Sequence, residues 1–223
     1  MITYLVDNKV NILGVVKGRE KADVVKFLRK IPASLRKTVE AVCCDLYDGY
    51  MNACKEVFEK NTPVVADRFH VRKLYRKSLI KLRKSELARL KKLLTKDEYA
   101  GLKAAISILR KQKDYFTEEE KPIVEKLLNL SPKLREGYKF SRELTAIFDS
   151  HISESQDKEK IAEWIAKVNQ SNLSCFDSFI NTLNKYKYEI ANYFMQRFNS
   201  GFVEGFNNKV KVLKRREQVQ ILL

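Results

Sequence analysis

Two short acidic motifs and a distant glutamate are the residues of this sequence best suited to chemistry. Asp45 and Asp67 each close a short apolar run, and His70 follows Asp67 by three residues. Glu204 lies far downstream, in the run Ser-Gly-Phe-Val-Glu-Gly-Phe-Asn-Asn-Lys-Val-Lys. A carboxylate at a strand end is held by the strand's backbone within the tolerance that a metal ion requires. Two acids at strand ends and one on a distant helix therefore predict a metal site.

The charge of the chain indicates what such a site would face. The sequence has 223 residues, 44% of them hydrophobic, and its 44 Lys and Arg exceed its 28 Asp and Glu to give a formal charge of +16. The length fits one large domain or two small ones with an ordinary core. The basic residues are densest at 68–92 and 207–216. A nucleic acid best accounts for this excess, although one basic stretch alone can be a solvated helical face.

Phosphoryl transfer on DNA is the reaction that a carboxylate metal site would perform on such a partner. The reaction uses two Mg²⁺ or Mn²⁺ ions about 3.5–4 Å apart. Three acids suffice for two ions, because Mg²⁺ keeps several of its waters. A structural role stays open for the second motif: Asp67 could cap a helix that begins near Phe69, and His70 could be a half-buried imidazole.

The cysteines and the chain's hydropathy exclude several other classes. Cys43, Cys44, Cys54 and Cys175 form no C-x-x-C pair and have no His at ligand spacing, so a zinc site has little support. Reduced thiols are expected, with Cys43 and Cys44 packed inside a strand. The first residues do not form a signal peptide, and no apolar run is long enough to span a membrane. We therefore expect a cytoplasmic protein with no membrane partner.

The N-terminal part of the chain alternates strand and helix signals. A hairpin is predicted around the Asp-Asn-Lys turn at 7–9, and Pro32 ends the first helix. The predicted strands are 2–6, 10–16, 39–44 and 64–66, with one more expected ahead of residue 1, and the predicted helices are 20–30 and 50–60.

From His70 to about Phe198 the spacing of apolar residues indicates helices only. Two capping boxes and a Ser-Pro start divide this stretch into at least four helices, at Thr95–Glu98, Thr117–Glu120 and Ser131-Pro132. Core packing, rather than base stacking, is predicted for its aromatic residues Trp164, Phe176, Phe179, Tyr186, Tyr193 and Phe194.

A last helix is predicted at 200–216. Its apolar residues recur at one face, which Glu204 flanks, and its polar surface can meet phosphates. The apolar residues are Val203, Phe206, Val210 and Leu213, and the polar ones include Asn207, Asn208, Lys211, Lys214 and Arg215.

Three segments of the sequence together resemble the DDE transposases of bacterial insertion sequences, most closely the ISL-three type. They are Cys-Asp-Leu-Tyr-Asp-Gly-Tyr, Val-Val-Ala-Asp-Arg-Phe-His-Val and Phe-Asn-Ser-Gly-Phe-Val-Glu-Gly-Phe-Asn-Asn-Lys-Val-Lys-Val-Leu-Lys-Arg. The resemblance runs from residue 1 to about Arg216. Neither Asp-Arg-Phe-His nor Glu-Gly-Phe-Asn-Asn-Lys is a pattern that composition alone produces.

The resemblance implies an α/β, RNase H-like fold with a mixed sheet and a large all-helical insertion. The chain would then divide into 1–70, the N-terminal part of the catalytic domain, 71–198, the helical insertion, and 199–223, the helix that carries the catalytic Glu. By position, Asp45 would be the second catalytic Asp, and Asp45 and Glu204 would hold Mg²⁺ or Mn²⁺. Asp67 and His70 would form the supporting Asp-x-x-His element, with His70 orienting or donating to a phosphate oxygen.

The implied reaction is DNA strand cleavage by water, followed by strand transfer by the freed 3′-hydroxyl. The implied partners are double-stranded DNA, as terminal inverted repeats and as target, and further copies of the chain assembled on it. The candidate DNA contacts are Arg68, Arg72, Lys73, Asn208, Lys209, Lys211, Lys214 and Arg215.

The family's first catalytic Asp lies on a strand ahead of the one at 2–6, so this chain is expected to lack it, and Asp7 falls at the wrong end of its strand. With no N-terminal DNA-binding region and an end soon after Arg216, the chain is expected to be truncated at both ends and inactive alone. The alternatives are a non-catalytic DNA-binding remnant that inhibits intact subunits, and another RNase H-like nuclease. A further alternative is a helical structural protein, but it would not explain why Asp45, Asp67 and Glu204 occur together.

Overall fold

The computed structural model describes residues 2–6, 9–109, 116–150 and 154–198, together with Gly205 and Val212. These residues form a mixed α/β protein that is mostly helical and has small sheets. They fall into two compact units, one holding the described residues up to Val71 and from Tyr186 onward, the other those of Arg72–Lys185. The predicted helix at 200–216 lies outside the described residues, except that Gly205 and Val212 are helical.

The first unit contains all the described strands. β1 and β2 form the predicted antiparallel hairpin, and β3 and β4 form a parallel pair. The elements in chain order are β1 (Ile2–Val6), β2 (Lys9–Gly14), α1 (Lys21–Leu28), α2 (Ala33–Arg36), β3 (Val42–Cys44), α3 (Asp48–Val57), β4 (Val64–Ala66), the start of α4 (Arg68–Leu93), and α10 (Lys187–Gln196).

β3 is shorter than predicted, because a short helix precedes it. The first helix ends at Leu28, two residues before the predicted end, and the Pro32 carbonyl accepts the Arg36 amide at 3.0 Å and begins α2. A further turn follows, in which the Val39 amide donates to the Arg36 carbonyl at 3.2 Å. Extended backbone therefore begins only at Val42, three residues later than the sequence pattern indicated.

Among the described strands, the hairpin and the parallel pair form two separate two-stranded sheets rather than one mixed sheet. The hairpin leaves Tyr4, Leu5 and Val6 exposed, whereas β4 is buried throughout. Apolar side chains on successive strand residues point to opposite faces, so neither face of β1 is fully covered.

α10 packs on the parallel pair of the first unit. The Asn192 side chain donates to the Val64 carbonyl at 3.0 Å, and the Tyr186 hydroxyl donates to Asp48 at 2.8 Å. Lys55 and the buried Glu189 form an ion pair. Tyr186, Tyr193 and Phe194 are buried as predicted, but they belong to this unit and not to the core of the helical segment.

The second unit is helical throughout its described residues, as predicted from the periodicity. Leucine side chains of α4, α5, α6 and α7 form one core, which includes Leu82, Leu90, Leu102, Leu127 and Leu134. The helices after the first turn of α4 are α5 (Lys96–Ile108), α6 (Glu120–Leu130), α7 (Pro132–Asp149), α8 (Glu154–Gln170) and α9 (Asp177–Lys185), with a 3₁₀ turn at Ser174–Phe176.

A second cluster of this unit is aromatic. Trp164 packs edge-to-face on Phe140, Phe176 and Phe179, with ring centroids 5.7–6.3 Å apart. Its indole nitrogen donates to the Phe140 carbonyl at 2.8 Å, so the polar atom is also satisfied. These rings are buried and unavailable to bases, and the prediction of core packing is confirmed for Trp164, Phe176 and Phe179.

The three predicted helix starts are confirmed. In both capping boxes the glutamate accepts the threonine amide, at 2.9 Å for Glu98 and 3.1 Å for Glu120. The Ser131 hydroxyl accepts the Leu134 amide at 3.2 Å, with Pro132 at the first helical position. Within the described part of the chain, no helix is long and apolar enough to cross a membrane.

Ser131 also closes a buried polar network with α4. Its hydroxyl donates to Glu86 at 2.6 Å, and Arg89 donates to the same carboxylate at 2.8 Å. Burial raises the pKa of Glu86, but the hydrogen bonds from Arg89 and Ser131 outweigh burial and hold the pKa below its usual value. The folded state therefore favours the charged carboxylate.

We expect Glu86→Gln to lower the free energy of unfolding by roughly 1 kcal/mol at pH 7, because the charge-assisted bonds become neutral ones. A carboxyl with a depressed folded-state pKa stabilises above its unfolded pKa and loses that contribution as pH falls through the folded value. The difference between wild type and variant in urea unfolding should therefore shrink below about pH 4.5. A difference that is constant from pH 7 to pH 3 would contradict this role of the charge.

Candidate metal centre

Strand pairing brings the two acidic motifs together. β3 and β4 are parallel, with Cys44 opposite Ala66, and the Asp67 amide donates to the Cys44 carbonyl at 2.9 Å. Asp45 directly follows the last residue of β3, and Asp67 directly follows the last residue of β4. Both therefore lie at the same edge of the sheet, where the two strands end. The carboxyl ends of neighbouring parallel strands are a common position for ligand sites in α/β proteins.

Asp67 is buried, at 1% exposed, and its atoms serve several partners. Its Oδ1 accepts the Phe69 amide at 3.1 Å, and its backbone carbonyl accepts the amides of His70 and Val71. These bonds satisfy amides at the start of α4, so the capping role left open by the sequence is present. Oδ2 points instead to His70, whose Nδ1 lies 3.2 Å away.

His70 lies between the two carboxylates. Its Nδ1 is 3.1 Å from Asp45 Oδ1 as well as 3.2 Å from Asp67 Oδ2, and one ligand atom from each of the three residues lies within 4.8 Å of the others. The side chains of His70 and Asp45 are 32% and 45% exposed. Capping and clustering are therefore compatible, and the cluster is open to solvent on the side of Asp45.

The donor set fits a divalent cation. Adjacent ligands at right angles around an ion with bonds of about 2.1 Å lie about 3.0 Å apart. The distances from His70 Nδ1 to the two carboxylate oxygens, 3.1 and 3.2 Å, are close to this value. Carboxylate oxygens suit Mg²⁺ and Mn²⁺, and an imidazole nitrogen is more compatible with Mn²⁺. Asp67 is fixed by its cap and its strand, whereas Asp45 can still adjust because it is half exposed.

The Cys43 thiol and the Tyr50 hydroxyl near this cluster both have raised pKa values. Burial raises the pKa of the Cys43 thiol to about 12, and the negative charges of Asp67 and Asp45 add to the shift. Burial also raises the pKa of Tyr50, again with a contribution from Asp45. All four cysteines are free thiols, as expected, and Cys44 contacts Met51 at 3.5 Å. The Cys43 thiol therefore packs beside the acids without supplying a thiolate.

The structure brings Asp45, Asp67 and His70 together, and of the other predicted site residues only Arg68, Arg72 and Lys73 lie within the described ranges. Arg68 donates to the Tyr193 hydroxyl at 3.0 Å, Arg72 is half-buried, and Lys73 is exposed. The other predicted residues lie outside the described residues: Glu204, Asn208, Lys209, Lys211, Lys214 and Arg215.

Two contacts near the site had no signal in the sequence. Tyr193 receives the Arg68 hydrogen bond, and Arg197, at a left-handed backbone φ of 55°, also stacks near the Tyr193 ring. The Phe198 carbonyl lies 3.8 Å from Cys43 Sγ, two residues before Asp45. The Arg68–Tyr193 and Cys43–Phe198 contacts each join residues more than 120 positions apart. Periodicity reports neighbours along one element, so no local pattern could indicate them.

The sequence of the chain matches a known protein family. A sequence profile of the transposase family DDE_Tnp_ISL3 matches residues 1–217, which is nearly the whole chain. The chain therefore belongs to the ISL3-type (ISL-three) DDE transposase family, as the resemblance of the three segments predicted.

A curated relative is the transposase for insertion sequence element IS1001 of Bordetella parapertussis. It is 23% identical over 207 residues, which are 92% of this chain and 50% of the relative. The chain thus spans about half the length of that relative. No solved structure matches.

Two substitutions at Asp67 separate its capping role from its role in the cluster. Asparagine still offers an oxygen to the Phe69 amide, so Asp67→Asn should keep most of the stability, whereas Asp67→Ala should lower the free energy of unfolding by about 1–2 kcal/mol. We expect both to reduce the rise in melting temperature that 1 mM Mn²⁺ gives wild type. An undiminished Mn²⁺ shift in folded Asp67→Asn would show that Asp67 is a cap only.

Proposed function

We propose that this chain is part of a DDE transposase catalytic domain that performs metal-dependent phosphoryl transfer on DNA. Membership of the family supports DNA transposition in general. The observation that carries the specific proposal is the convergence of Asp45, Asp67 and His70 at one sheet edge, with ligand atoms within 4.8 Å of one another. The relative from Bordetella parapertussis, a transposase for an insertion sequence element, agrees with it.

Asp45 and Glu204 are the proposed metal ligands, with Mg²⁺ or Mn²⁺ as the ion. When bound, such an ion stabilises charge on the attacking and leaving oxygens of a phosphodiester. Asp67 is proposed to fix the position of His70 through the Oδ2–Nδ1 contact of 3.2 Å. His70, one third exposed, would then orient Asp45 or donate to a phosphate oxygen. The half-exposed Asp45 is the acid of the cluster that an incoming phosphodiester can approach.

The number of residues between Phe198 and Glu204 allows the proposed role of Glu204 at this edge of the sheet. The last described residue before it in an unbroken range is Phe198, whose carbonyl lies 3.8 Å from Cys43 Sγ. Six residues extend at most about 20 Å, and about 9 Å if they are helical. Either distance can bring the Glu204 carboxylate to Asp45, since Cys43 precedes Asp45 by two residues.

The finer architecture is part of the proposal. An antiparallel hairpin, a helix and a parallel strand pair joined by a helix are compatible with an RNase H-like fold. The division into 1–70, 71–198 and 199–223 stays a prediction. So do a cytoplasmic location, assembly of several copies on DNA, and recognition of terminal inverted repeats and target DNA.

Mn²⁺ binding by calorimetry tests the proposal. Wild type should bind Mn²⁺, more tightly with a short DNA duplex present, and the double variant Asp45→Asn, Glu204→Gln should lose most of the binding heat. DNA affinity without metal should be nearly unchanged, because phosphate contacts come from Lys and Arg. A control that removes two exposed acids elsewhere, Glu59→Gln with Glu159→Gln, should bind Mn²⁺ as wild type does.

Two results would count against the proposal. Equal Mn²⁺ binding by wild type and the site variant would place the metal elsewhere. Absence of Mn²⁺ binding in both forms, with DNA affinity retained, would indicate a DNA-binding module without catalytic metal chemistry.

A further inference from the structure

α4 carries a row of exposed lysines along one face. Counting along the helix, the members recur at intervals of three, four or seven residues, which places them on one side. The opposite side is buried in the second unit through Tyr75, Leu79, Leu82 and Leu90. The row consists of Lys73, Lys77, Lys81, Lys84 and Lys91, all of them exposed.

None of these five lysines forms an ion pair with a carboxylate of the described residues. Exposed cations elsewhere do, such as Lys21 with Glu56 and Arg135 with Glu125. The single acidic residue of α4, Glu86, is buried and engaged by Arg89 and Ser131. A helix face that only had to be solvated would commonly carry glutamates four residues from its lysines.

The spacing concentrates positive charge along a line. With a rise of 1.5 Å per residue, the row from Lys73 to Lys91 is about 27 Å long. Lys73, Lys77 and Lys81 follow each other at four-residue intervals, an arrangement in which like charges destabilise an isolated helix. A linear polyanion placed along the row would remove this repulsion, and one strand of duplex DNA carries a phosphate every 3.4 Å along its axis.

We propose that the lysine row binds the phosphate backbone of duplex DNA. The proposal rests on the proposed function for the class of partner and deepens it by assigning the surface. Of the basic residues near the start of α4, Arg68 is hydrogen-bonded to Tyr193 and Arg72 is half-buried, so the proposed contact uses the exposed lysines from Lys73 onward. The row itself contains no aromatic side chain to stack on a base, so contact is with phosphates and is independent of sequence.

The salt dependence of DNA binding tests the row. The affinity of the whole chain for a duplex of arbitrary sequence is measured by fluorescence anisotropy at several NaCl concentrations, with EDTA present so that no metal contributes. A quadruple variant replaces Lys77, Lys81, Lys84 and Lys91 by glutamine, which has a similar helix propensity. Its control removes four exposed lysines of the same unit outside the row, namely Lys126, Lys133, Lys160 and Lys167.

If each lysine contacts one phosphate, the slope of log K against log salt should fall by about 3 to 4 in the row variant, since each contact contributes about 0.9. Affinity at 100 mM NaCl should weaken by at least about tenfold, again from released counterions. Arginine at the same four positions should retain the slope, because it keeps the charge. A row variant whose slope equals that of the control overturns the proposal, as does failure of arginine to retain the slope when circular dichroism shows an unchanged fold.

The result of this experiment is independent of the result of the Mn²⁺-binding test. A reduced slope in the row variant, together with no Mn²⁺ binding in wild type, would remove the catalytic proposal and keep the DNA surface. Mn²⁺ binding that depends on Asp45 and Glu204, together with an unchanged slope, would keep the catalytic proposal and place the DNA contact on another surface.

Discussion

The parallel pairing of β3 with β4 is the constraint on which the candidate site depends. Its last contact, from the Asp67 amide to the Cys44 carbonyl, sets the register that places Asp45 beside Asp67. A slip of one residue would turn the side chains of one strand to the other face and separate the two acids. The same strand pair receives α10 through Asn192, which donates to Val64. Two further segments contact this strand pair or the residues that follow it. The start of α4 does so through the Phe69 amide, which donates to Asp67, and the segment after α10 does so through the Phe198 carbonyl, which lies near Cys43.

Asp67 can be buried because each of its carboxylate oxygens has a partner. A buried carboxylate is costly unless its oxygens are hydrogen-bonded, and here one oxygen accepts an amide while the other faces His70. His70 Nδ1 therefore contacts the buried Asp67 and, at 3.1 Å, Asp45, whose side chain stays half exposed. The proposed metal site uses this difference in exposure, because a large polyanion must reach the outer acid, Asp45, from solvent.

The sequence was sufficient for the features that local chemistry determines. The hairpin, β4, the two capping boxes and the Ser131-Pro132 helix start were predicted from residues that interact with near neighbours. The contact between Asp45 and His70 was not predicted, because it depends on the pairing of β3 with β4 and not on a local pattern. The predicted start of β3 was wrong because the short helix α2 begins after Pro32 and delays the strand to Val42. The unit to which Tyr186 and Tyr193 belong could not be predicted, since it depends on contacts with Asp48 and Arg68, distant in sequence.

The central claim is that Asp45, Asp67 and His70 form part of a divalent metal site. Crystals of the chain grown with Mn²⁺ and a short DNA duplex, and measured at a wavelength where manganese scatters anomalously, test it most directly. The account predicts an anomalous peak about 2.0–2.3 Å from an Asp45 carboxylate oxygen, with Asp67 or His70 in contact with the same ion or its waters. Ordered density for all three side chains, His70 still between the two carboxylates and no peak beside Asp45, would contradict it.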